Sequence, residues 1–268
     1  AVHISVAILV ILGGIGFPVL TGFYSFCKHL IIVVVNKIKR NRLPVKPEKK
    51  NLPTSIVLFM TVFLILSGTI FYYLFESPNS MAGVENARKI MTSFFGSVCA
   101  RTAGFNMVDI SLWSYPTVFL MMILMWIGAS PGSTGGGIKT TTFALAFRSV
   151  WSNIRGREHL IIGNREIGSK TIGKVLSVIF LSIVMIISGF FFLLLSEPGK
   201  NPVHLLFECV SAFGTVGLSL VNTASLSETG RVIIIFLMFI GRIGPLTLFT
   251  GFVFSQRKRY GRFPELEV

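Results

Sequence analysis

The chain has 268 residues, of which 52% are hydrophobic and 13% charged, and its mean hydropathy is +0.73. Soluble domains carry about a quarter charged residues, so this composition excludes a water-soluble enzyme and points to a chain solvated largely by lipid. The net charge of +14 sits in loops between long apolar runs, as expected of a membrane protein's cytoplasmic loops rather than of a nucleic-acid binder.

The opening run, Ala1-Val-His-Ile-Ser-Val-Ala7, has no Met, no basic n-region and no cleavage site. It reads as a chain entered partway rather than as a signal peptide. The first apolar stretch, about Val2–Leu20, approaches the ~20 residues that a helix needs to cross hydrocarbon. A basic, Pro-containing connection follows, with Lys37 through Lys50 and Pro44, Pro47 and Pro53. Such a segment is either a solvated linker against anionic headgroups or a docking surface for a cytoplasmic protein. A second span is predicted over Ser55–Phe75. After a polar loop that starts at Glu76, Ile90–Ala100 is apolar but too short to span, and it leads into Thr102-Ala103-Gly104-Phe105.

Pro116–Ile127 is apolar for only twelve residues before Gly128–Lys139 interrupts it, and the pattern resumes over Thr140–Val150. This predicts one long helix broken by a Gly-rich loop, or two half helices. Irregular backbone at membrane depth persists only where protein or a water-filled cavity satisfies its polar groups. Thr171–Leu195 is the next span. A second short segment, Val203–Phe213, then leads into Thr215-Val216-Gly217-Leu218, and Val232–Phe254 is the last span. The first and third connections and the tail hold 18 of the 25 Lys and Arg residues, which places those regions in the cytoplasm. Both short segments then dip in from the outer face as re-entrant helices.

The chain repeats itself. Ser67-Gly68 with Glu76 recurs as Ser188-Gly189 with Glu197 at an offset of 121, and Thr102-x-Gly104 recurs as Thr215-x-Gly217 at an offset of 113. Gly128 matches Gly241 at the same 113, and a connection eight residues longer in the first copy reconciles the two offsets. Leu12-Gly13-Gly14-Ile15-Gly16 aligns with Ile240-Gly241-Arg242-Ile243-Gly244 at 228. The predicted fold is therefore an all-α membrane protein of parallel helix, re-entrant pore loop, helix units. Residues 1–54 hold the second helix of a truncated unit and the basic linker. Residues 55–168 form a complete unit with the Gly-rich loop, and residues 169–268 form another with the cytoplasmic tail.

A cation entering hydrocarbon needs its hydration shell replaced by oxygen ligands, and rings of backbone carbonyls supply them. Glycine permits the backbone that aims successive carbonyls at one axis. Thr102 to Phe105 and Thr215 to Leu218 suit that role; the plainer reading is that their glycines only let helices pack closely. The loop Gly132-Ser133-Thr134-Gly135-Gly136-Gly137-Ile138-Lys139 lacks the Gly-Lys pair of a phosphate loop. It reads instead as a plug able to occlude a cavity, against the alternative of a static kink. Arg101, Lys139 and Arg242 fall near membrane depth, where charges are rare and functional. Arg242 would brace the plug or repel cations, and Lys139 has the simpler option of snorkelling to the interface. Arg101 needs a carboxylate, for which Asp109 and Glu208 are the candidates. The four histidines and the cysteines Cys27, Cys99 and Cys209 form no ligand spacing, and no nucleophile has a base nearby in sequence, so neither an enzyme nor a cofactor is expected.

The motifs Ala100-Arg-Thr-Ala-Gly-Phe-Asn106, Gly128 to Thr140, Phe213-Gly-Thr-Val-Gly-Leu-Ser219 and Gly241-Arg-Ile-Gly-Pro-Leu-Thr247 resemble the Trk/Ktr/HKT superfamily of potassium transporters, most of all its KtrB membrane-subunit branch. The resemblance implies four helix–pore–helix repeats around one pore, of which this chain holds the end of the second and all of the third and fourth. It implies filter glycines at Gly104 and Gly217 whose neighbouring carbonyls hold K+, a gating loop over Gly132 to Lys139, and Arg242 as the pore-facing partner of that loop. It further implies a plasma-membrane homodimer and a cytoplasmic RCK-type regulatory ring that binds the nucleotide. The rivals are a sodium-permeable transporter of the same architecture and a non-conducting structural membrane protein.

Overall fold

The computed structural model describes residues 2–22, 24, 52–156, 160–162, 165–245 and 247. The basic linker over Lys37–Lys50, the end of the last expected span (248–254) and the basic tail lie outside the described residues, as do Cys27, His29 and His159. Helix α1 (Val2–Ile15) is followed by α2 (Leu52–Glu76), α3 (Asn86–Cys99), α4 (Tyr115–Trp126) and α5 (Thr140–Ile154). A two-stranded antiparallel hairpin, β1 (Leu160–Ile162) with β2 (Arg165–Ile167), leads into α6 (Ser169–Ser196), α7 (Pro202–Gly214) and α8 (Glu228–Ile243). The molecule is an all-α membrane protein, and α2 and α6 are long and apolar enough to cross a bilayer, with mean hydropathies of 2.2 and 2.9. Their outward residues, among them Phe59, Phe63, Phe180 and Phe191, are exposed, as lipid-facing side chains are.

The elements form for local reasons. Pro202 occupies the first turn of α7, where its missing N–H costs nothing, and the Asn201 side chain caps it by accepting from Val203 N. Ser227 caps α8 by accepting from Gly230 N at 3.0 Å. Ser67-Gly68 and Ser188-Gly189 mark close helix approach. A Cβ at Gly68 would collide with the Ser97 side chain, and one at Gly189 would lie 2.6 Å from Leu237. The main core joins α2, α4, α6, α7 and α8 around Met121, Met125, Phe207 and Phe213, and a smaller cluster of Ala7, Ile65, Phe95 and Val98 attaches α1.

The repeat extends into geometry. Asp109 and Asn222 each accept from the backbone N–H two residues on and open a 3₁₀ turn, Ile110–Leu112 and Thr223–Ser225. The end of each long helix is tied to the start of the next membrane helix by one carboxylate. Glu76 accepts from Ser114 N at 2.9 Å and from Ser80 Oγ at 2.6 Å. Glu197 accepts from Ser227 N at 2.6 Å and pairs with Lys200 at 2.8 Å.

Two expected spans are corrected. Val2–Leu20 is not one helix: it breaks at Gly16, whose φ is +87°, and helix resumes over 17–22. The last helix breaks in the same way at Gly244, φ +92°. The helix over Tyr115–Trp126 also stops short, two residues before Gly128, whereas the last helix runs two residues past the matching Gly241.

Hydrogen bonds from Lys200 and then Ser227 hold the Glu197 carboxyl down at about 2. A carboxyl that titrates below its unfolded value, about 4.3, contributes its full stability above that value and loses it as pH falls toward 2. Glu197→Gln should therefore lower stability at pH 7 by roughly 1–3 kcal/mol. In detergent melts, the wild-type and variant midpoints should converge as the pH is taken from 5 toward 2.

Candidate ion-conduction site

The two re-entrant helices, α3 and α7, end at strands of the same shape. Thr102 and Thr215 are left-handed, with φ of +69° and +52°, and Gly104 and Gly217 are left-handed two residues later, at +69° and +94°. Ala103 and Val216, between them, do not have positive φ. The sign of φ thus alternates along both segments in the same way. The two strands adjoin at their glycines. A Cβ at Gly104 would collide with the Val216 carbonyl and lie 3.3 Å from Gly217 Cα. Phe105 is exposed, whereas Val216 and Leu218 are buried.

Behind the second strand stands Glu208, 3% exposed, whose carboxylate accepts from Ser219 Oγ and, at 3.3 Å, from Val221 N. The corresponding residue of the first unit is Phe95, so this polar brace belongs to one unit alone. Sequence reasoning offered Glu208 as an ion-pair partner and missed the brace. Its signal was a carboxylate on a short apolar helix eleven residues before a serine.

The Gly-rich loop is folded rather than loose. Ile127 and Ile138 form a parallel bridge, so the chain leaves the loop in the direction in which it entered. The apolar pattern on either side of the loop forms two helices, Tyr115–Trp126 and Thr140–Ile154. The loop amides go to carbonyls that the broken helices leave free. Ser130 N donates to Gly14 O at 3.0 Å, Gly137 N to Gly241 O at 3.2 Å and Ile138 N to Trp126 O at 3.1 Å. Phe17 N donates to Gly132 O at 3.4 Å, and Gly136 N donates to Thr215 Oγ1 at 3.0 Å. Cβ atoms at Gly135 and Gly136 would each lie 2.6 Å from a threonine hydroxyl, that of Thr102 and of Thr215 respectively. The candidate loop thus seats against both candidate filter strands at once, which requires two residues without side chains.

The three cations are placed differently from one another. Lys139 donates to Gly135 O at 2.6 Å, so its ammonium stays in the loop instead of reaching for an interface. Arg242 is exposed and makes no hydrogen bond or ion pair among the described residues. Gly241 beside it holds the loop. Arg101 is paired with neither expected carboxylate: Asp109 is occupied by Ser111, and Glu208 by Ser219 and Val221. Its side chain leaves toward α1 and α2, where Nη2 meets Thr61 Oγ1 at 3.5 Å.

The family described as TrkH, cation transport protein, matches residues 1–259. This chain belongs to the TrkH family. It is 43% identical over 197 residues to the Ktr system potassium uptake protein B of Vibrio alginolyticus, covering 73% of this chain and 43% of that protein. It is 35% identical over 269 residues to the protein of the same name from Bacillus subtilis, covering 100% of this chain and 56% of that protein. The chain spans about half the length of these curated relatives. Among solved structures, the crystal structure of the potassium transporter TrkH from Vibrio parahaemolyticus matches with a TM-score of 0.69 at 16% identity, over 95% of this chain and 52% of that one. That likeness shows the same all-helical fold. Membership places this chain in a family of cation transport proteins rather than of enzymes.

The threonine contact gives a direct check. Thr215→Ala removes the acceptor for Gly136 N–H, a bond worth about 1 kcal/mol. Amide hydrogen exchange across 134–138 should quicken about fivefold, with exchange in α6 unchanged.

Proposed function

We propose that this chain is part of a potassium-translocating membrane subunit. It would contribute two of the backbone-carbonyl strands that select the ion, at 102–105 and 215–218, and the loop over Gly132–Lys139 that gates it. The observation that carries the reading is the pair of left-handed Thr-x-Gly strands, each following a re-entrant helix, with one glycine loop seated on both threonines. Backbone carbonyls of such segments can replace an ion's hydration shell without presenting a fixed charge that would trap it. An inside-negative potential then draws K+ inward with about 2.3 kcal/mol per 100 mV. The potassium uptake relatives support K+ as the ion.

In the shut arrangement the loop makes four hydrogen bonds to neighbouring elements, through Gly14, Phe17, Thr215 and Gly241. At about 0.5–1.5 kcal/mol each, they bias the gate closed by a few kcal/mol. A regulatory partner's binding energy can overcome a bias of that size. The positive charges of Lys139 and Arg242 add electrostatic repulsion against a cation at that level, and the mutual repulsion of the two lowers the cost of moving the loop aside. The division into units at 55–168 and 169–268, the cytoplasmic placement of the basic loops and tail, a homodimeric assembly and an RCK-type regulator carrying the nucleotide all belong to this proposal. The relatives' naming as protein B of a Ktr system supports a partner subunit.

The test is potassium uptake by the transporter carrying this sequence, in cells stripped of their own uptake systems. Gly217 holds φ +94° with nothing closer to its missing Cβ than Gly104 Cα at 3.9 Å, so Gly217→Ser strains the backbone without a clash. That strain, roughly 1–3 kcal/mol, should cut K+ uptake by about tenfold and raise Na+ entry relative to K+. Equal Na+ and K+ entry in the wild type would favour the sodium-permeable reading. Uptake indifferent to the substitution would leave a membrane scaffold with no filter at 217.

A further inference from the structure

Arg101 is the one buried guanidinium among the described residues that the conduction reading leaves without a task. It is 5% exposed, its Nε has no hydrogen-bond partner, and its one polar contact is the long one to Thr61. A cavity of about 10 Å3 adjoins it, lined otherwise by Val10, Ile11, Gly14, Ile65 and Val98. A buried cation with an orphaned N–H in apolar surroundings is costly, and an apolar side chain of similar length would fill this place at less cost. Stability therefore does not account for an arginine here.

Its position does. Three of the lining residues, Val10, Ile11 and Gly14, belong to the last turns of α1, whose carbonyl end carries partial negative charge. The cavity that Arg101 lines therefore borders the broken end of that helix. That same end holds the gate: Gly14 O accepts from Ser130 N, and Phe17 N donates to Gly132 O just past the break. On its main-chain side Arg101 runs directly into Thr102, whose hydroxyl abuts Gly135. One side chain thus links the two surfaces, the α1 break and the first filter strand, against which the first half of the loop rests.

We infer that Arg101 is a positioning residue for the gate, fixing the break of α1 against the Thr102 strand at the separation that seats the glycine loop. The inference rests on the gated-pore reading. Arg101 touches no ion in this role and acts through the loop. Removing it loosens the seat and leaves the filter chemistry in place.

The test uses the transporter carrying this sequence in potassium-uptake-deficient cells, as wild type, Arg101→Met, a loop shortened by Gly135 and Gly136, and the combination. The expected result is a several-fold rise in unstimulated K+ flux for Arg101→Met, with K+ over Na+ preference kept and a thermal midpoint in detergent at or above wild type. The shortened loop should raise flux as well, and the combined variant should exceed it by nothing further. A role confined to packing would instead lower the midpoint and the flux together, and that result overturns the inference. So do wild-type flux in Arg101→Met and a combined effect equal to the product of the two. If Arg101→Met does not fold, Arg101→Lys takes its place under the same criteria, and failure of both to fold assigns Arg101 to folding and overturns the inference. A shortened loop that leaves flux unchanged sinks the gated reading and this inference with it. A shortened loop that raises flux while Arg101→Met does not removes the inference alone.

Discussion

Irregular backbone inside a membrane has no water to satisfy its amides, and the segment from Ile127 to Thr140 meets that constraint by borrowing from broken helices. A helix that stops short leaves carbonyls of its last turn without partners. Here α1, α4 and α8 all stop short, and Gly14, Trp126 and Gly241 each give one such carbonyl to a loop amide. Each defect supplies what another lacks. The three breaks and the loop are therefore one structure, and Pro18 and Pro245, four residues past Gly14 and Gly241, have no N–H to compete with the loop for those two carbonyls.

The same economy of space governs the glycines. A Cβ at Gly241 would collide with the Phe213 carbonyl, and one at Gly128 with the Gly136 carbonyl. At Gly104 and Gly217 positive φ adds a conformational demand to the steric one. Pore helix, strand and loop thus meet through backbone contacts that no larger residue would allow. Against this symmetric frame the polar residues behind the two strands differ. The first unit has Arg101 directed outward to α1, and the second has Glu208 directed toward Ser219 and Val221, just past the Thr215–Leu218 segment. The two units share a backbone design and carry opposite charges beside it.

Much of this was legible in the sequence because it rests on periodicity, length and local backbone chemistry. The two short apolar segments before Thr102 and Thr215 predicted re-entrant helices, and the offset of 113 predicted their equivalence. What escaped reading depended on partners distant in the chain. Hydropathy continues smoothly through Gly16 and Gly244, so the breaks were invisible as apolar runs. The alignment of Gly13 to Gly16 with the interrupted helix carried the signal. A buried charge ordinarily has a carboxylate, and the placement of Arg101 beside α1 and Thr61 instead is a feature of packing. The hairpin at 160–167 was missed although Leu160-Ile-Ile162 precedes Gly163-Asn164, a dipeptide that favours tight turns.

The carboxylate ties at Glu76 and Glu197 bear on how the chain is built. Each closes a hairpin over a short separation, 38 residues to Ser114 and 30 to Ser227, so each pair of membrane helices can lock as it emerges from the ribosome, before the next is made. The loop is different. Its bonds reach from Gly14 to Gly241, nearly the whole described length, and it has no complete set of partners until α8 is in place. The lipid-facing frame is thus assembled in sequence during synthesis, and the element across its middle closes last. A nascent chain arrested before α8 would expose those amides, which gives the cell's quality control a local signature of an unfinished transporter.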